Sequence, residues 1–268
     1  MDKKKILYVT SELSPYFVDA KISETSLSAA KKMQEAGHDV RVFIPKFGVI
    51  NERRHQLHEV IRLSGMNIVV NDIDQPLIIK VASVPGARLQ AYFIDNEEYF
   101  ERKSVYCKEG SHEVCPDTDE RIMFFARGVL EAVRKLNWSP DIIHIQGWFG
   151  ALVPLYIKTL YKNDPIFSGS KVVYSVFNDG FDGVLNTEMN KKIVLDGIKI
   201  ASLSIIKEPN FINLNKMAVH YSDGVVLGEE FIDSALLETV GAEKQLDFQT
   251  LESSDNAYLQ FYKDQILV

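Results

Sequence analysis

Along this chain, apolar runs of strand length alternate with stretches whose apolar residues recur every three or four positions. Residues 6–9 (ILYV) are an unbroken apolar run, the pattern of a strand buried on both faces. Residues 26–36 place Leu27, Ala30, Met33 and Ala36 at helical spacing, and Gly37 falls where a helix C-cap belongs. Residues 40–44 form the next strand, closed by Pro45. A strand, a crossover helix and a second strand imply a parallel pair.

The alternation continues. Residues 57–84 read as extended segments, punctuated by turn signals at Ser64 and Gly65, Asn71 and Asp72, and Pro85 and Gly86. Residues 89–94 predict a strand. Residues 119–136 are the strongest helix, with Asp119 and Glu120 in the first turn and Arg134 and Lys135 in the last. A strand over 140–145 leads to a helix over 152–160, and a strand over 171–177 leads into the turn NDGFDG at 178–183. A helix over 213–221, a strand over 224–227 and a helix over 229–237 complete the pattern.

There is no internal repeat and no low-complexity linker. The sum is an α/β fold, a doubly wound, mainly parallel, Rossmann-like sheet with helices on both faces, decorated by the 57–94 segment. Residues 1–240 form the domain, and 241–268 a polar connection and C-terminal helix belonging to it. Such sheets bind ligands outside the carboxyl ends of their strands. The loops of interest therefore begin at Thr10, Pro45, Asp95, Gln146, Asn178 and Gly228.

Composition narrows the function classes. A chain of 268 residues with 46% hydrophobic content suits one large domain, with or without an appendage. A net charge of −7 and a pI near 5.5 give no reason to expect nucleic acid as a partner. The lysines at the N-terminus precede an apolar run too short for a signal peptide, and no stretch approaches the ~18 apolar residues of a membrane span. The reading is cytoplasmic, with no membrane partner. Cys107 and Cys115 make no disulfide framework, and with His112 between them they offer three of the four ligands a structural zinc wants. Two ordinary thiols are the favoured reading, with no metal.

The first strand-to-helix loop is where phosphates are usually cradled, yet residues 10–21 contain no glycine. The loop offers Ser11, Glu12, Ser14, Tyr16, Asp19 and Lys21. Every residue in it carries a Cβ, and Asp19 and Glu24 repel an anion, which favours an ordinary surface connection. His144 closes a buried strand, where a histidine is more often a core residue than a catalyst. Trp148 opens a helix, either as packing or as a sugar platform. Asn178, Asp179, Asp182 and Glu188 supply carboxylates for acid–base work, although turn chemistry accounts for them equally. Arg53, Arg54, His55, His58 and Arg62 form either a phosphate site or a solvated face, the latter being favoured.

Four segments in order, residues 6–15 (ILYVTSELSP), 140–152 (PDIIHIQGWFGAL), 175–183 (SVFNDGFDG) and 213–223 (NLNKMAVHYSD), resemble the N-terminal domain of bacterial glycogen synthases and plant starch synthases. The resemblance spans roughly residues 5–235. It implies one half of a GT-B glycosyltransferase, a family that moves glucose from ADP-glucose to the non-reducing end of an α-1,4-glucan. The reaction retains configuration and uses neither metal nor other cofactor. Carried onto this chain, the resemblance implies substrate contacts at Ser11, Glu12, Lys21, Gln146, Trp148, Asn178 and Lys216. It leaves His144, Asn178 and Asp182 as degenerate catalytic candidates.

The departures are specific. The family's Lys-x-Gly-Gly turn is replaced by residues 18–24 (VDAKISE), which lack both glycines. In the family's His-x-His-Asp-Trp-His motif, Gln146, Gly147 and Phe149 replace the second histidine, the aspartate and the third histidine. Phe177 replaces a further histidine. The family's second domain has no counterpart, and the run after Glu230 reads as a terminus. Two readings follow. One is a non-catalytic member that binds α-glucan, weakly a nucleotide sugar, or a protein partner. The other is an active glycosyltransferase component, completed by a second chain or by dimerisation.

Overall fold

The computed structural model describes residues 2–17, 21–107, 113–240 and 245–268. Asp19 and His112 lie outside the described residues. The strands are β1 (Lys5–Thr10), β2 (Asp39–Pro45), β3 (His58–Glu59), β4 (Met66–Val70), β5 (Ile73–Ser83), β6 (Gln90–Asp95), β7 (Ile142–Gln146), β8 (Lys171–Val176), β9 (Gly224–Leu227) and β10 (Gln245–Leu246). Their order is β10-β9-β8-β7-β1-β2-β6-β5-β3, with β4 pairing β5 off that path. From β10 to β6 every pairing is parallel, and β5 turns antiparallel to β6. The sheet is mainly parallel, with helices on both faces.

The continuous apolar runs are buried as two-faced strands should be: Ile6, Leu7, Tyr8 and Val9 have no exposed surface. One face packs under the helices Thr118–Lys135, Leu152–Lys158 and Phe211–His220. The other is covered by the helix Lys21–Glu35 and by the C-terminal helix Ala257–Phe261 with its π turn Tyr262–Ile266. The segment 57–94 folds as expected from its turn signals. Asn71 and Asp72 both take positive φ, at 52° and 61°, the conformation of a two-residue hairpin turn between β4 and β5.

Two helices differ from the hydrophobic pattern. The first begins at Lys21, five positions before the expected start at Ser26, because buried serines hold its opening turn. Ser23 Oγ donates to Phe17 O at 2.9 Å, and Ser26 Oγ meets Thr10 Oγ1 at 3.0 Å. The helix expected over 229–237 is confined to Ser234–Leu237. The carboxylate of Asp233 accepts from Ala235 N at 2.8 Å and so starts the helix there.

The chain reverses direction across the sheet between β1 and β7. β1 hands over to β2 on one side and pairs with β7 on the other, the arrangement that opens a crevice at the carboxyl ends of the strands.

Candidate functional site

Four strand ends meet at that crevice. Thr10, Gln146 and Ser175 stand side by side in register at the ends of β1, β7 and β8. Ser11 and Glu12 follow β1, Gly147 follows β7, Asn178 and Asp179 follow β8, and Glu229 follows β9. The backbone N–H of Asn178 donates to Glu229 Oε1 at 3.4 Å, which ties the last two loops together.

An arm from residues 101–107 reaches over this mouth. Arg121, fully buried, holds the arm by donating to Val105 O at 2.6 Å, and ties it to the preceding turn by donating to Tyr99 O at 2.7 Å. Its guanidinium sits 5.4–5.8 Å from the rings of Phe47, Phe100 and Phe149, and burial pushes its pKa down to about 10. At the tip of the arm, Tyr106 donates to Glu12 Oε1 at 2.9 Å.

The electrostatics are those of carboxyls drawn out of water. Burial pushes the Asp179 carboxyl up to about 7, and the nearby charges of Glu12 and Glu229 push in the same direction. The backbone N–H groups of Asp179 itself and of Trp148 oppose the rise. Burial also raises Glu12, against the hydrogen bond from Tyr106. The approach of Asp179 depends on Gly147, whose φ is +81°. A Cβ built there would lie 2.5 Å from Asp179 Oδ2 and 2.6 Å from Ile22 Cδ1.

Buried polar atoms normally find partners, so those that do not are informative. At this mouth Ser11 Oγ, Glu12 Oε2, Asp179 Oδ1 and both amide atoms of Gln146 are sealed from solvent without a hydrogen bond. Ser11 and Gln146 are 1% and 0% exposed. Among the described residues, no group of three or more His, Cys, Asp or Glu side chains could hold a metal ion.

The residues singled out in the sequence separate into two groups. Ser11, Glu12, Gln146 and Asn178 converge here. His144 does not: it has no exposed surface, its Nε2 meets Ser175 Oγ at 2.6 Å, and its Nδ1 meets the hydroxyl of Tyr262. Its place is in the core, under the C-terminal helix. Trp148 is 1% exposed and packs against Phe181 at 4.7 Å and Tyr106 at 5.4 Å, which leaves no face for a sugar to stack on. Lys21 sets its ammonium 4.6 Å from the Phe248 ring. Asp182 is exposed, its backbone bridged to Glu113, and Lys216 is half-buried on the helix Phe211–His220. Arg53, Arg54, His58 and Arg62 are exposed, as a solvated face would be.

Three groups at the mouth carried no sequence signal strong enough to rank them. Tyr106 arrives from 94 residues beyond Glu12, and Glu229 from 51 residues beyond Asn178. Asp179 stood among several turn carboxylates.

Comparison with known proteins decides the family. Residues 5–236 match the starch synthase catalytic domain. This chain belongs to that family. It is 34% identical to a glycogen synthase of Chlorobium phaeovibrioides over 194 residues, 72% of this chain and 40% of the relative. It is 36% identical to a glycogen synthase of Chlorobaculum tepidum over 191 residues, 70% and 38% of the two chains. The fold superposes on the catalytic domain of Arabidopsis thaliana starch synthase IV, solved bound to ADP and acarbose. The TM-score is 0.69 at 19% identity, covering 84% of this chain and 44% of that one. The chain thus spans about two fifths of the length of the curated relatives it matches.

Within this starch synthase domain, the motif departures have structural counterparts. Phe149, at a histidine position of the motif, is fully buried, with the rings of Phe47, Tyr106 and Phe125 at 5.4–5.6 Å. Gly147 stands at the motif's aspartate position, and the carboxyl of Asp179 lies against its α-carbon. A carboxyl therefore still meets the turn that opens at Trp148, delivered from the β8 loop.

Proposed function

We propose that this chain binds an α-glucan at the mouth formed by β1, β7 and β8, and that it does not complete glucosyl transfer by itself. The observation that carries this reading is the set of unpartnered buried atoms on Ser11, Glu12, Gln146 and Asp179. A hydroxyl, a carboxamide and two carboxyls suit sugar hydroxyls, each of which both donates and accepts. The solved starch synthase relative was bound to acarbose as well as ADP, and an oligosaccharide suits these groups. Lys21, the residue nearest to the lysine of the family's Lys-x-Gly-Gly turn, lies instead on Phe248. Phe149 has no polar atom with which to assist a reacting sugar.

Native electrophoresis in gels with and without glycogen tests the binding. The reading predicts retardation that grows with glycogen content. Migration indifferent to glycogen contradicts it.

A second reading keeps the family's activity: a glycosyltransferase component working with a second GT-B half. Asn178, exposed beside Glu229, and Lys216 favour it, as matches to the family's motifs. Under this reading a polypeptide carrying the second half co-purifies with the chain and confers transfer from ADP-glucose. Inactivity in the presence of such a partner removes the reading.

A further inference from the structure

We infer a second binding site, separate from the mouth, that takes the phosphoryl group of free phosphate or of a phosphate monoester. It is a cavity of about 220 Å³ by the edge strand β3, lined by His55, Gln56, His58, Ser83 and Gln90. Gln90 opens β6 and Asp95 closes it. The cavity therefore lies at the amino end of that strand, about 17 Å along it from the end at which the mouth opens.

The lining offers donors and no carboxylate. Tyr92 donates to Gln90 Oε1 at 3.3 Å, which leaves Nε2 of that amide to donate. Tyr16 donates to Ser83 O at 3.4 Å and so occupies that carbonyl, while its ring holds the His55 imidazole edge-on at 4.9 Å. Gln56 takes φ 53° and ψ 47°, a left-handed backbone uncommon for a residue with a Cβ. That turn ends the short helix Glu52–His55 and brings His55 and His58 to one cavity.

Charge supplies the second argument. Elsewhere arginines are answered by carboxylates: Arg102 by Asp117, Arg127 by Asp196, and Arg134 by Glu131 and Asp164. Arg53 and Arg54 are exposed on the turn that carries His55, and among the described residues their guanidinium groups have no ion pair or hydrogen bond. The carboxylate of the same turn, Glu52, is taken by Lys46 at 2.7 Å and Lys80 at 2.8 Å. Glu59 follows His58 on β3 and by strand alternation faces the other side. Burial, and then the charge of Arg54, hold the His55 pKa below its ordinary value. In a chain of net charge −7, this is positive charge with nothing nearby to neutralise it.

Exposure by itself suits a solvated face. A cavity walled by donors, free of carboxylates and flanked by unanswered guanidiniums suits an acceptor-only dianion. It is smaller than the roughly 300–1,000 Å³ of pockets for drug-sized ligands, so it admits a phosphoryl head and not a whole nucleotide.

Calorimetric titration of the full chain at pH 7 with inorganic phosphate and with glycerol phosphate tests this, against sodium chloride at matched ionic strength. The variants are Arg53→Gln with Arg54→Gln, Gln90→Glu, and Lys199→Gln with Lys207→Gln. The lysine pair removes two exposed cations outside the cavity lining. Wild type is expected to bind phosphate or the ester at a single site. The arginine pair should weaken binding by about tenfold or more, the scale of a lost charge-assisted hydrogen bond. Gln90→Glu sets a carboxylate in the lining at nearly constant size and should abolish binding, whereas the lysine pair should leave it unchanged. Binding of phosphate alone supports the site with the free ion as ligand, and binding of glycerol phosphate at least as tight supports it with an ester. Arg53 and Arg54 are exposed, so their variant reads the site even if Gln90→Glu unfolds. No heat beyond that of chloride, equal weakening in the two double variants, or undiminished binding by folded Gln90→Glu overturns the proposal.

Discussion

His144 Nδ1 shares a hydrogen bond with the hydroxyl of Tyr262, 118 residues away, inside the fully buried face of the sheet. The Tyr262 hydroxyl continues to that of Tyr8 at 3.1 Å, and His144 Nε2 reaches Ser175 at 2.6 Å. This chain of polar atoms joins β7, β8 and β1 to the π turn Tyr262–Ile266. The histidine that the family motif suggests for chemistry fastens the C-terminal segment onto the sheet.

Burial holds His144 down to about 3, against an ordinary value of 6.5. A histidine with a depressed folded pKa takes up its proton preferentially when unfolded. Stability from this group is therefore complete above about pH 6.5 and lost as the pH falls toward 3. Urea unfolding at pH 7 and pH 4.5 should show wild type losing ~3 kcal/mol from this source, and His144→Phe should lack most of that loss. An equal acid loss in both proteins would remove the assignment.

Asp179 carries the opposite dependence. Its folded value of about 7 lies above the ordinary 3.8, so the folded state holds the proton between these values and stability falls as the pH rises through 7. Replacing it by Asn keeps an acceptor for the Trp148 N–H and removes the charge. Asp179→Asn should gain about 2 kcal/mol on wild type between pH 5 and pH 8, a figure already reduced for the half-buried position. Parallel stability curves for the two proteins over that range would contradict this.

Gly147→Ala should cost about 2–3 kcal/mol, because an alanine at a φ of +81° is strained and its Cβ meets Asp179 Oδ2 and Ile22 Cδ1. Thermal unfolding checks the direction. An unchanged midpoint would show that the β8 loop yields without resistance.

Restoring the family histidine by Phe149→His should lose about 2–4 kcal/mol and gain no glucosyl transfer. The new imidazole enters a fully buried aromatic cluster, 5.8 Å from the Arg121 guanidinium. A stable Phe149→His protein with transfer activity would show that the position still serves catalysis.

The strands were legible because β1, β7 and β8 are buried on both faces, and an apolar run on both faces cannot be a surface element. The Lys21 start of the first helix was not, since Ser23 and Ser26 are polar letters serving a buried turn. The helix over 229–237 shrank because its pattern was short and Asp233 caps it late. Ser11, Glu12, Gln146 and Asn178 were legible through the resemblance of their motifs. Tyr106, Asp179 and Glu229 depend on loops meeting across the sheet, and no local periodicity encodes that meeting. His144 and Trp148 carry the motif's letters but not its exposure.

The most direct measurement is incorporation of labelled glucose into glycogen by the purified chain, offered ADP-glucose and UDP-glucose separately. The account predicts no incorporation above background with either donor, from protein that is retarded by glycogen in native gels. Sustained turnover with one donor would contradict it, and would mean that the glycine-free first loop, Gln146 and Phe149 support transfer after all.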